Sequence, residues 1–287
     1  MHPRTAQWRR LFADEAGSER PDLALLCLLI GTEADPSLDT TDLDMTRRLL
    51  DRLAAQVAQA VSARGTGAAE DPRSWALAVA ELLGQRYGFK GGPGVYQRLE
   101  SSLLHEVLRR RRGLPILLSV LWMEVARRAG APVHGVALPG HFVVGFGGEG
   151  GGDDQVLADA FSGGRVLSAT DAALLVAAAT GAPLVPSMLR PAGTLDIVRR
   201  ILNNVRAWAA PRPERSEVSL WAIDLSLLLP APNARLHYER AELLVQRGDY
   251  LRGARELDTY ADAVAAEDAA TADRARRQAH GARAMLN

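Results

Sequence analysis

The chain has 287 residues, 47% of them apolar and 24% charged, the balance of a globular protein with its own hydrophobic core. Its 34 basic and 34 acidic residues cancel, which removes the sequence-independent attraction that most nucleic-acid binders use. A single cysteine, Cys27, excludes an intramolecular disulfide and a zinc site built on cysteines.

Lys90 is the only lysine, so Schiff-base or phosphate-loop lysine chemistry has little to work with, and no cofactor is expected. The run from Leu23 to Ile30 is far shorter than the roughly 18 apolar residues of a membrane span. It follows acidic and polar residues, where a secretory leader would carry a basic start. The expectation is a cytoplasmic protein with no membrane partner.

Residues 1 to about 90 read as helical. Asp39-Thr40-Thr41-Asp42 offers caps for a helix from about Asp42 to Ser62, with Met45, Leu49, Leu50, Leu53, Val57 and Val61 on one face. A polar loop, Arg64 to Asp71, precedes a helix from about Pro72 to Tyr87. The loop from Gly88 to Gly94 lacks the order of a phosphate loop and reads as a turn. Ser101 or Ser102 is expected to cap a short helix running through Arg110. A strongly apolar helix starts at Pro115 and ends at Gly130.

Pro132 to Leu138, His141 to Phe146 and Gln155 to Asp159 are β-rich, with a glycine-rich loop, Gly147 to Asp154, before the last. Phe161 to Arg165 reads as a turn and Val166 to Ser168 as a short strand. From about Thr194 the chain is helical to Met285, punctuated by Pro211, Pro213, Pro230 and Pro232. Asn233 to Ala265 looks like one helix-turn-helix repeat of tetratricopeptide length. The fold class is α+β. The expected division is residues 1–190, a helical part plus the central helix and antiparallel sheet, and residues 191–287, helical hairpins.

The middle of the chain resembles the SirB1-type transglutaminase-like proteins. Tyr87-Gly88-Phe89-Lys90-Gly91, Glu106-Val107-Leu108, Arg110 to Ile116, Val125-Ala126-Arg127-Arg128, Leu138-Pro139-Gly140-His141-Phe142, Asp159 and Gly163-Gly164-Arg165 carry the match. The flanks also resemble the family, with a helical N-terminal part and a tetratricopeptide-like C-terminal part. The resemblance implies a papain-like core of one central helix against an antiparallel sheet. It also implies a site in which a cysteine at the helix start works with a histidine and an aspartate on neighbouring strands.

His141 and Asp159 fill the second and third roles. Nothing fills the first. Pro115 and Ile116 stand where the thiol would act, and Cys27 lies far upstream in another helix, where it reads as a small buried residue. Ser119 is the nearby hydroxyl, one turn deeper on the face of Pro115. It reads either as a substitute nucleophile or as a small residue that lets helix and sheet approach. His141 reads either as a site residue or as a structural partner of Asp159.

Arg112, Glu106, Arg165 and Phe142 are candidate binding residues at the rim of the same cleft. Glu106 also suits an ion pair with Arg110 one turn on, and Arg109 to Arg112 suits a helix C-terminus. His105 and Glu106 face different ways, so no metal site is expected. Phe89, Tyr96, Trp122, Phe142 and Phe161 are assigned to the core.

Three functions remain open at this level. The first is a non-catalytic transglutaminase-like module that binds a protein or peptide. The second is a hydrolase or acyl transferase using His141 and Asp159 with Ser119 or an activated water. The third is a helical-repeat scaffold. The expected partner is a protein or peptide and not nucleic acid.

Overall fold

Capping residues set most helix boundaries. In the computed structural model, which describes residues 3–148 and 154–286, the first helices in chain order are α1 (Pro3–Ala16), α2 (Leu23–Ala34), α3 (Thr40–Ser62) and α4 (Pro72–Val79). They are followed by α5 (Leu104–Arg110), α6 (Pro115–Ala129) and α7 (Ala169–Thr180). The last are α8 (Thr194–Ala209), α9 (Ser216–Leu227), α10 (Arg235–Gln246), α11 (Tyr250–Val264) and α12 (Ala269–Ala284).

Asp39 closes a reciprocal capping box with Asp42 at the start of α3. Asp71 caps α4, with Pro72 in the first turn. Pro115 opens α6, and Gly130, left-handed at φ 98°, closes it.

Three local expectations needed correction. Ser101 and Ser102 do not cap α5; they lie buried in a 3₁₀ turn, Leu99–Ser102, and no side chain caps the helix. The helix expected through Tyr87 is α-helical only to Val79; Ala80–Arg86 is wound as a π-helix. The helix α7 was not anticipated, although Ser168 and Asp171 form a capping box at its start. Of the glycine-rich loop, residues 149–153 lie outside the described residues.

The chain forms two compact units. Residues 20–201 make the first, an α+β unit. Its sheet has β1 (Val133–Val136), β2 (Val143–Phe146), β3 (Val156–Asp159) and β4 (Arg165–Leu167), in that order and antiparallel throughout. The helix α6 packs on β1 and β2 and also against α3. It is buried nearly all round, through Ile116, Leu117, Val120, Leu121, Trp122 and Val125, which is what its unbroken apolar sequence requires. A second apolar cluster joins Val136, Leu138, Val143, Leu157 and Leu167 of the sheet region to Ala172 and Val176 of α7.

Residues 1–19 and 202–287 make the second unit, which is helical. Here α10 packs on α11 and α11 on α12, through small residues: Ala241, Ala254, Ala279 and Ala282 around Leu257, then Ala261, Ala272 and Ala275. Asp224 accepts hydrogen bonds from Arg9 and Arg240, and Glu256 from Arg240 and His237, a chain of ion pairs inside this unit. No helix among the described residues is long and apolar enough to cross a membrane.

One close approach ties the π-helical segment to the turn after β3. A methyl group at Gly84 would lie 2.0 Å from the carbonyl oxygen of Gly163, well inside contact distance. Gly84→Ala is therefore expected to destabilise the chain by about 1–3 kcal/mol, read as a lower urea midpoint at unchanged slope.

Candidate functional site

The strand register brings the two candidate polar residues together. Val144 pairs with Ala158, so Asp159, one residue on, sits level with Val143, two residues after His141. His141 closes a tight turn in which its N–H donates to the Leu138 carbonyl at 3.1 Å, with Gly140 left-handed at φ 71°. Its Nε2 lies 2.9 Å from Oδ1 of Asp159.

Asp159 is buried, and a buried carboxylate must be satisfied by donors. Phe161 N–H donates to Oδ1 at 3.0 Å, and the Ser162 hydroxyl donates to Oδ2. Burial alone would raise its pKa. The hydrogen bonds from His141 and Ser162, the charge on His141 and the Phe161 N–H outweigh burial and hold the carboxyl below its ordinary range. An ionised Asp159 accepts from Nε2–H, and this assigns the neutral imidazole its tautomer: Nδ1 then carries the lone pair. Nδ1 makes no hydrogen bond among the described residues and is not a sealed buried atom.

Two aromatic rings extend the wall beside His141. Phe161 stands edge-on to the imidazole, with ring centres 6.1 Å apart, and Tyr96 lies 6.4 Å from Phe161. Tyr96 is 63% exposed and Phe161 half-buried, which corrects their assignment to the core. Phe89, Trp122 and Phe142 are in the core as expected. Partial burial and the nearby Asp159 charge raise the Tyr96 hydroxyl pKa.

Behind the turn, Arg200 of α8 donates from Nη2 to the carbonyls of His141 (2.7 Å) and Leu138 (3.1 Å). Its guanidinium also lies 5.5 Å from the Phe142 ring centre, and burial lowers its pKa. Sequence reading did not single out Arg200, Tyr96 or Ser162 for this site. Only Ser162, at three residues from Asp159, lay close enough along the chain to be suspected.

The other candidate residues occupy different surroundings. Ser119 is fully buried, and its hydroxyl donates to the Phe142 carbonyl at 3.2 Å; no hydrogen bond joins it to His141. Pro115 and Ile116 are buried at the start of α6. Cys27 is buried in α2, where desolvation first, then Glu124 and Asp22, push its thiol pKa far up and keep it protonated.

Glu106 is held by Arg109 and Arg110, as expected for the latter. It lines a separate groove with Asp35, Met45 and His105. Arg112 donates to the carbonyls of Gly88 and Arg111, and Arg165 pairs with Asp171. Phe142 contributes its ring to the core and its carbonyl to Ser119. No cluster of three metal-ligating side chains occurs among the described residues.

With this geometry in place, comparisons with known proteins give a consistent picture. A family model described as "Transglutaminase-like superfamily" matches residues 44–203, more than half of the chain. A "UPF0162 protein" of Xylella fastidiosa is 33% identical over 190 residues, 63% of this chain and 62% of that protein. The chain thus spans less than two thirds of that relative's length. A "UPF0162 protein" of Vibrio cholerae is 28% identical over 151 residues, 52% of this chain and 55% of its own. "F-box only protein 21" of Mus musculus is 34% identical over 104 residues, 34% of this chain and 17% of that protein.

Two predictions follow from the donors around the turn. Asp159 has a lowered pKa in the folded state, so near its titration the unfolded chain binds more protons, and stability rises with pH there. Asp159→Asn should cost about 1–3 kcal/mol at neutral pH. The contribution of the ionised carboxylate should be fully present above about pH 4, the ordinary carboxylate value. It should shrink as pH falls towards the lower folded value, as read from urea unfolding across pH. Arg200→Ala leaves two carbonyls without their donor and should cost about 1–3 kcal/mol. It should also broaden or shift the His141 imidazole resonances in nitrogen-15 spectra, and Arg200→Lys should only partly restore them.

Proposed function

Because the chain belongs to the transglutaminase-like superfamily, we propose that it is a non-catalytic member that binds a protein or peptide at the His141 face. The absence of an available nucleophile beside His141 carries this reading. At the start of α6 stand Leu114, Pro115 and Ile116, none of which can attack a carbonyl. The Ser119 hydroxyl is sealed from solvent and already donates to a backbone carbonyl. The Cys27 thiol is buried in α2 and held protonated. Acyl transfer by this fold needs a thiolate or an activated hydroxyl, and the Ser162 hydroxyl beside the pair donates to Asp159 and makes no hydrogen bond to His141 among the described residues.

What remains suits recognition. Nδ1 of His141 is an acceptor when the imidazole is neutral, and Asp159 holds its orientation. Tyr96 and Phe161 supply aromatic surface next to it. An extended peptide would place a backbone N–H on Nδ1 and side chains against the rings. Residues 191–287, read as tetratricopeptide-like hairpins, fit a protein whose task is binding. Zero net charge fits a polypeptide partner better than nucleic acid.

A second reading draws on the same nitrogen. A lone pair on Nδ1, backed by Asp159, is also the arrangement of a general base that activates water. It would make the protein a hydrolase without a covalent intermediate.

Chemical labelling tests for a nucleophile, and a hydrolysis assay separates the two readings. A fluorophosphonate and a thiol-directed iodoacetamide should both leave the native protein unlabelled, and Cys27 should react only after unfolding. Fluorophosphonate labelling that disappears in Ser119→Ala would overturn the non-catalytic reading. So would hydrolysis of ester or amide substrates that His141→Ala abolishes. A photo-crosslinking residue at Tyr96 should capture a polypeptide in wild type and lose it in His141→Ala.

A further inference from the structure

The second unit contains a cavity of about 370 Å³ lined by Arg235 and Tyr238 of α10, Tyr260 of α11, and Thr271, Arg274, Ala275 and Gln278 of α12. Its lining holds two guanidinium groups and no carboxylate. The rings of Tyr238 and Tyr260 form its aromatic part, with centres 5.3 Å apart and planes tilted by 57°. Gln278 donates to the Tyr238 hydroxyl at 3.4 Å, which steadies that ring.

Charge at this cavity is not balanced from within. Arg274 makes no direct ion pair among the described residues; it donates to the Thr271 hydroxyl, which in turn donates to Asp268, whose pKa that hydrogen bond chiefly, and the Arg274 charge as well, lower. Arg235 reaches Glu239 only at 3.5 Å, and Glu239 is held more closely by Arg206. Several nearby arginines are paired directly. Arg276 pairs with Asp262 and Asp273, Arg283 with Asp258, and Arg240 with Asp224 and Glu256. The cavity thus brings together one arginine with a long ion pair and another whose contact with Asp268 runs through a hydroxyl.

We propose that this cavity binds an acidic peptide segment. A glutamate or aspartate side chain enters between Arg235 and Arg274, which offer planar, multiple donors to a carboxylate. A neighbouring apolar side chain of the same peptide lies against Tyr238 and Tyr260. The volume suits a few side chains, and two guanidiniums beside aromatic rings suit isolated carboxylates better than a continuous phosphate backbone. This site is independent of the His141 reading, since every residue of it lies in the other unit.

Fluorescence anisotropy with the full chain tests the proposal. The probe is a labelled, end-capped eight-residue peptide alternating glutamate and phenylalanine. Its counterpart alternates lysine and phenylalanine, and an eight-nucleotide thymidine strand and inorganic phosphate serve as further competitors. Wild type should bind the glutamate peptide, more weakly as salt rises. Arg274→Ala and Arg235→Ala should each weaken it about tenfold. Both side chains are exposed, so the fold should be kept, as circular dichroism checks.

The double variant Arg235→Glu with Arg274→Glu should reverse the preference towards the lysine peptide. The proposal is overturned by any of four results. The wild type fails to bind the glutamate peptide at millimolar concentration. The alanine variants bind it as wild type does. The double variant keeps its preference. The thymidine strand or phosphate displaces the peptide more tightly than unlabelled peptide does.

Discussion

The buried carboxylate of Asp159 is the constraint around which the site is built. A carboxylate out of water costs several kcal/mol unless donors surround it, and this one has three, from the Phe161 backbone, Ser162 and His141. Each donor is itself fixed by that demand. Phe161 and Ser162 are drawn into a 3₁₀ turn directly after β3, and Gly163 and Gly164 close it. The turn can sit where it does because Gly84 has no side chain to meet Gly163. The imidazole is then held from the front by Asp159, while its backbone is held from behind by Arg200.

The central helix explains why a nucleophile is missing from an otherwise well-ordered site. A helix buried on almost every side needs apolar residues at its start as well as along its length. Leu114, Pro115 and Ile116 meet that need. Pro115 also fixes the backbone for the first turn and gives up an N–H that would have no helical partner. The same residues that make a stable buried helix start leave nothing there for a reaction. The hydroxyl that the helix does carry, on Ser119, is spent on tying α6 to the strand region through the Phe142 carbonyl. On the proposed non-catalytic reading, the orienting half of a catalytic arrangement is present without the attacking half, and Nδ1 of His141 is left for recognition.

Net charge conceals how the arginines are used. Most ion pairs are local or form chains, such as Arg9, Asp224, Arg240 and Glu256. Arg200 is paired with carbonyls, not carboxylates, because its place is behind a backbone turn. Arg235 and Arg274 converge on a cavity without acidic lining. A chain of zero formal charge can therefore still present a locally cationic, aromatic pocket. Exposed pairs of this kind add little stability, so their distribution is read better as a map of what each surface can receive.

Much of this was legible in the residues. The α+β class followed from apolar helices around a run of short β-rich segments, and the boundaries of α6 followed from Pro115 and Gly130. The pairing of His141 with Asp159 was within reach because one short hairpin separates them. The capping box at Ser168 was readable too, yet α7 was missed because its alanine-rich sequence shows little apolar periodicity. The exposure of Tyr96, the retreat of Ser119 into the core and the role of Arg200 were not readable. Each depends on which surface another element happens to cover, and Arg200 lies 59 positions from His141. The single cysteine, by contrast, was decisive from the start as a statement of composition. Sequence alone determined that the chain has one thiol and places it away from His141. Only the tertiary structure decided that this thiol is sealed, that Ser119 is buried on the Phe142 carbonyl, and that Nδ1 of His141 makes no hydrogen bond among the described residues, because burial and hydrogen bonding are properties of neighbours in space.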